Sequence, residues 1–121
     1  MSKLVLVVDD SLVIRKMVCQ TLVKLGFETC EAADGMAGLE AAKGKELALV
    51  ITDYNMPRMN GLEFIKELRT VDGHKFTPVV FLTTEMEETL RNEARAAGAT
   101  AWVVKPFQPE KIISVVQKIA A

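Results

Sequence analysis

Cysteine is nearly absent from this 121-residue chain, and Cys19 and Cys30 sit at no metal-binding spacing. That argues against a disulfide scaffold and a thiolate zinc site. It predicts two reduced, partly buried thiols in a reducing compartment. Charge of one sign is lacking too: fifteen Lys and Arg face sixteen Asp and Glu, for a formal net charge of −1. Without a run of Lys or Arg there is no footprint for a phosphate backbone, so nucleic acid is not expected as a direct partner. No apolar run is long enough to span a bilayer, and no membrane association is expected. The opening MSKLVLVVDD does not read as a secretory signal, because two acids interrupt its apolar segment. A cytoplasmic location follows as the expectation. Repeats, low-complexity stretches and linkers are also missing. The length suits one domain over residues 1–121.

What is present is an alternation of short apolar runs with helical periods. Leu4 to Val8 is a continuous run of the kind buried on both faces of a parallel sheet. Ser11 is placed to cap a helix along Ile14, Val18, Leu22 and Leu25, which Gly26 stops. Phe27 to Ala32 reads as a more polar edge strand. Asp34 caps a second helix, which Gly35, Gly38 and Gly44 weaken. Leu47 to Thr52 is the third strand. A third helix begins at Asn60 or Gly61, with Leu62, Ile65, Leu68 and Val71 facing inward. The polar loop from Asp72 to Thr77 carries the only histidine, His74, expected to be solvent-exposed and without a role. Pro78 to Leu82 is the fourth strand, and Met86, Leu90, Ala94 and Ala97 mark the fourth helix. Ala101 to Val104 is the fifth strand. Pro109 opens a last helix with Ile112, Val115, Val116 and Ile119 inward. Five strands alternating with five helices predict a parallel α/β sandwich.

In such a sheet the reactive crevice lies beyond the carboxyl ends of the strands. The chain puts its polar residues there: Asp9 and Asp10 after strand one, Asp53 after strand three, Thr83 after strand four and Lys105 after strand five. Converging carboxylates repel, by about 4 kcal/mol for a pair at 4 Å and a surface-like dielectric. A hard cation relieves that, and an all-oxygen donor set without His or thiolate suits Mg²⁺. Phosphoryl transfer needs matched cations and donors around its spreading charge. Lys105 supplies a cation and Thr83 a hydroxyl. Asp53 is the candidate nucleophile, forming an aspartyl phosphate.

Taken together, Asp9-Asp10, the segment Asp53-Tyr-Asn-Met-Pro-Arg-Met-Asn-Gly61, Thr83-Thr84 and Lys105-Pro-Phe107 resemble the receiver domain of two-component response regulators. The resemblance covers the whole chain and lies nearest the stand-alone regulators of chemotaxis. It implies a flavodoxin-like, doubly wound sheet of order 2-1-3-4-5. It also implies roles. Asp53 is the phosphoacceptor. Asp9 and Asp10 bind Mg²⁺ with Asp53 and the backbone carbonyl of Asn55. Thr83 is the switch hydroxyl, and Lys105 pairs with a phosphoryl oxygen, its bond to Pro106 being cis. Trp102 stands at the switch aromatic position, where Tyr or Phe is commoner. The alternative for it is a permanently exposed indole awaiting a partner. Thr84 is branched where a small residue is usual, and is expected to narrow access to Asp53. Asn55 and Glu85 flank the crevice and are expected to set a short phosphate lifetime.

The implied partners are a histidine kinase (CheA-like), a protein target such as a flagellar motor switch, and a phosphatase, met by a monomer. The face made by helix four, strand five and helix five is the expected output surface. No conventional enzyme is implied, only self-catalysed phosphoryl transfer and autodephosphorylation. The alternatives are a receiver serving pilus motility or a phosphorelay, or a receiver-like module that is not phosphorylated. A nucleotide- or flavin-binding protein would need a glycine- or hydroxyl-rich loop where this chain has Asp-Asp-Ser. An aspartyl phosphatase would want an acid where Asn55 stands.

Overall fold

The strongest apolar runs of the sequence become the middle of one parallel sheet. The computed structural model describes residues 3–84 and 88–120. Its elements are β1 (Leu4–Val8), α1 (Leu12–Lys24), β2 (Glu28–Ala32), α2 (Gly35–Ala42), β3 (Leu49–Asp53), α3 (Gly61–Leu68), β4 (Val79–Thr83), α4 (Glu88–Ala96), β5 (Ala101–Val104) and α5 (Pro109–Ala120). The strand order is β2-β1-β3-β4-β5, as the resemblance implies. Every residue of β3 and β4 is buried, whereas β2, the more polar strand, lies at an edge.

Alternation along the strands divides the core between the two faces. Leu6, Val8, Val50 and Phe81 pack with Phe64, Ile65 and Leu68 of α3. Val5, Val7, Leu49 and Ile51 pack on the other face with Val18 and Leu22 of α1 and Ile112 and Val116 of α5. Each such side chain contributes about 1.5–3 kcal/mol when fully buried. The first three helix starts expected from the sequence are capped by side chains. Ser11 Oγ accepts from Ile14 N at 3.3 Å and Asp34 Oδ1 from Ala37 N at 2.8 Å. Asn60 and Glu63 form a reciprocal capping box.

Three expectations need correction. The buried face of α3 is Gly61, Phe64, Ile65 and Leu68, while Leu62 and Val71 are only half-buried. Phe64 reaches α2, where a Cβ on Gly38 would stand 3.0 Å from its ring and 3.0 Å from Val8. Gly38 therefore allows close helix-sheet packing as well as weakening α2. The third and fourth strands each begin later than the apolar pattern suggests, at Leu49 and Val79, and run on through Asp53 and Thr83.

His74 is the third. It is not exposed but 1% accessible. Its Nε2 lies 2.7 Å from the Ala42 carbonyl oxygen and its Nδ1 3.0 Å from Thr77 Oγ1. A carbonyl only accepts, so Nε2 carries the hydrogen and Nδ1 faces the Thr77 hydroxyl. Arg69 closes the same corner, donating to the carbonyls of His74, Thr77 and Gly98 at 2.9, 2.6 and 2.8 Å. A polar loop sequence concealed a buried clasp, because the carbonyls of Ala42 and Gly98 that anchor it come from distant parts of the chain.

Candidate functional site

β1 ends in Asp9, which is wholly buried, and β3 ends in Asp53, which is 4% exposed. Both are carried there by strands whose apolar residues permit no other placement. Asp9 is held by three neighbours. Its N–H donates to the Ala32 carbonyl, its Oδ1 accepts from Ser11 N at 2.8 Å, and its own carbonyl accepts from Arg15 Nη1 at 2.8 Å. Arg15 is anchored by Glu31 at 2.9 Å. Asp53 Oδ1 lies 3.4 Å from Asn55 N. Lys105 reaches across from the end of β5, its Nζ 3.0 Å from Asp53 Oδ1 and 3.5 Å from Asp9 Oδ2. Its bond to Pro106 is cis.

The electrostatics of this cluster are unfavourable without a further cation. Burial pushes the Asp53 carboxyl above its usual value; the negative Asp9 adds to this, and Lys105 opposes it. Asp9 is likewise raised, first by burial and secondarily by Asp10, against the Ser11 amide and Lys105. Asp10 is exposed, and Asp9, Asp10 and Asp53 each offer an oxygen within 4.8 Å of the others. Carboxylate oxygens at that separation fit a small hard cation, with Asp10 open to solvent on one side. One lysine against three acids leaves charge for such an ion to neutralise.

Thr83 is the buried last residue of β4 and lines a cavity with Tyr54, Phe81, Leu90, Arg91, Ala94 and Trp102. Trp102 is half-buried beneath the Arg91 guanidinium, 4.9 Å from the ring centre, so it is not a freely exposed indole. Thr84 is exposed and accepts from Asn55 Nδ2 at 3.3 Å, which places both side chains at the mouth. Glu85 and Met86 lie outside the described residues.

This geometry, together with the comparisons, decides the family. The chain belongs to the response regulator receiver domain family, which it matches over residues 5–117. It is similar to the chemotaxis protein CheY homolog of Campylobacter jejuni, 37% identical over 107 residues, 87% of this chain and 82% of that protein. The structure of the Vibrio cholerae chemotaxis protein CheY4 superposes with a TM-score of 0.93 at 44% identity, covering 98% of this chain and 99% of that one. The receiver domain of the Pseudomonas aeruginosa sensor histidine kinase PA1611 shares the fold, with a TM-score of 0.87 at 22% identity over 99% of this chain and 98% of that one. That protein was solved with a magnesium ion coordinated in its active-site cleft. Receiver domains of the CheY type belong to two-component signalling and are not conventional enzymes. Among the described residues no helix is long and apolar enough to cross a membrane.

Of the residues singled out from the sequence, the structure brings together Asp9, Asp10, Asp53 and Lys105, and sets Thr83 in the cavity beside Trp102. Arg15, which holds the Asp9 backbone, and Arg91, which covers Trp102, were not among those singled out. Charged residues on helices ordinarily read as a solvated face, and no local signal separated these two from the rest.

Proposed function

We propose that the chain, as one receiver domain over residues 1–121, accepts a phosphoryl group on Asp53 from a histidine kinase. The observation that carries this reading is Lys105, shared between Asp53 and Asp9 at 3.0 and 3.5 Å beside a third carboxylate. Asp9, Asp10, Asp53 and the Asn55 backbone carbonyl would hold Mg²⁺, which when bound supplies charge neutralisation at the phosphoryl oxygens. A carboxylate oxygen of Asp53 attacks phosphorus, the bond from phosphorus to the donor histidine nitrogen breaks, and the imidazole leaves. Lys105 turns from the carboxylates to a phosphoryl oxygen, and the Thr83 hydroxyl donates to another.

The output surface is the face of α4, β5 and α5. There Trp102, Val104, Pro106 and Phe107 border an open groove with Lys111 and Ser114. A protein target of the flagellar-motor kind, in a cytoplasmic chemotaxis pathway, suits a chain so similar to CheY proteins. Moving a switch from 1:99 to 99:1 takes roughly 5.5 kcal/mol of differential stabilisation. New contacts from Lys105, Thr83 and the metal to a dianion are of that order. The exposed Asn55 side chain, with Glu85, is assigned to admitting water and shortening the phosphate lifetime.

Intact mass after incubation with Mg²⁺ and a small acyl phosphate tests the chemistry. One phosphoryl mass is expected, lost in Asp53→Asn and in excess chelator. Label retained by Asp53→Asn would show the nucleophile to be another residue.

A further inference from the structure

Behind the indole of Trp102 the cavity bordered by Tyr54, Phe81 and Thr83 is only about 10 Å³. That is scarcely room for one water. An indole needs more room than a single water, so Trp102 moves toward Thr83 only as the walls beside it shift. The edge-to-face pair of Tyr54 and Phe81, 5.5 Å between centres, belongs to the sheet-side wall. The other wall is α4, through Leu90, Arg91 and Ala94. Ala94 is the one residue of α4 that is buried, whereas α1 buries Val18, Cys19, Thr21 and Leu22. With so little apolar anchorage, α4 is the wall able to yield.

Arg91 connects that wall to the indole. Its guanidinium carbon lies 4.9 Å from the Trp102 ring centre, within the range of a cation–π contact. Its Nε is buried and has no hydrogen-bond partner among the described residues. A donor left in that state is unfavourable, and the ring face beside it is the compensating contact. Arg91 also borders the open groove on the outer side, with Arg95, Ala99 and Thr100. It therefore stands between the cavity and the solvent.

We propose that Arg91 is the positioning residue that pins Trp102 over the cavity mouth and so sets how much phosphoryl-site occupancy is needed to switch the α4–β5–α5 face. The proposal rests on the reading of Asp53 as phosphoacceptor, because occupancy of that site is what releases the pin. Thr83 drawn toward an occupied Asp53 opens the cavity from within. The indole enters only when its stack on Arg91 is given up and α4 gives way.

Trp102 is the sole tryptophan, so the protein's tryptophan fluorescence comes from this one position. Wild type, Arg91→Ala and Arg91→Lys are compared by acrylamide quenching of the resting protein. They are then compared by titration with the phosphoryl mimic beryllofluoride in Mg²⁺. In Arg91→Ala, resting Trp102 is expected to quench more readily. Half-saturation is expected at a beryllofluoride concentration about two- to five-fold lower, the worth of one partly exposed cation–π contact. Arg91→Lys keeps the charge without the planar stack and falls between. Quenching unchanged in both variants overturns the pin, and so does half-saturation unchanged or raised in Arg91→Ala. Wild-type fluorescence flat in beryllofluoride while acyl phosphate still adds one phosphoryl mass would overturn the set-point alone, whereas flat fluorescence with no added mass would overturn the phosphoacceptor reading on which it rests.

Discussion

At the end of the sheet where β4 begins, His74, Thr77 and Arg69 are buried or half-buried, and every contact there pairs a donor with an acceptor. At the end where β3 stops, Asp9 and Asp53 are equally buried, yet both carboxyls are raised by that burial and by a neighbouring carboxylate. One cluster is electrically satisfied by its own chain and the other is not. The difference separates structure from chemistry more reliably than residue type does. A histidine would ordinarily attract a functional reading, and here it joins α2 to the loop before β4. The aspartates gain little for the fold and are placed for something from outside.

Exchanging the character of the two ends tests that contrast. The largest effect is expected from Asp53→Asn, which should abolish phosphoryl uptake by intact mass while the protein stays folded by circular dichroism. Uptake at the wild-type level would remove the distinction altogether. Next comes His74→Ala, which deletes two buried hydrogen bonds and leaves a void. It should lower unfolding stability by about 3 kcal/mol in a urea titration, with uptake by the remaining folded protein unchanged. A stability loss under about 0.5 kcal/mol would mean the clasp is ornamental.

Asp9→Asn should act in the opposite direction. It removes one of two mutually repelling buried charges but keeps an oxygen for the Ser11 amide. In chelator it should raise stability by on the order of 1 kcal/mol, and it should also remove the stabilisation seen on adding Mg²⁺. Destabilisation in chelator would show that the Lys105 pairing outweighs the repulsion.

The smallest effect is the pH dependence. Asp9 and Asp53 have folded values above the ordinary 3.8, so between 3.8 and those values the folded state holds more protons than the unfolded one. Their part of the stability in chelator therefore falls as pH rises through that window. Glu31 runs the other way. Lys16 first, and then Arg15, lower it from 4.5, so its contribution is present above 4.5 and is lost as pH falls through the lowered value. Melting from about pH 4 to 7 should show the descending component vanish in the Asp9→Asn, Asp53→Asn double variant. With Mg²⁺ the trend should reverse, because the ion competes with protons for the same oxygens. Identical profiles in all three conditions would contradict the raised carboxyls.

Much of this could be read from the chain. Continuous apolar runs ending in Asp9 and Asp53 specify parallel strands and the side at which they stop, because period and punctuation are local properties. Ser11, Asp34, Asn60 and Pro109 marked helix starts for the same reason. Phe64 was less legible, since Ile65 beside it satisfied the helical period and the packing of both depends on Gly38 of another helix.

By itself, the sequence determined the alternating elements, the helix caps and the set of polar residues brought to one rim, since each follows from a residue and its neighbours within a turn or a strand. Only the tertiary structure decided that Lys105 lies against both Asp9 and Asp53, that His74 is a buried link to Ala42, and that Arg91 covers Trp102. Those contacts join residues separated by other elements, and their energies turn on burial and distance, which no local spacing encodes.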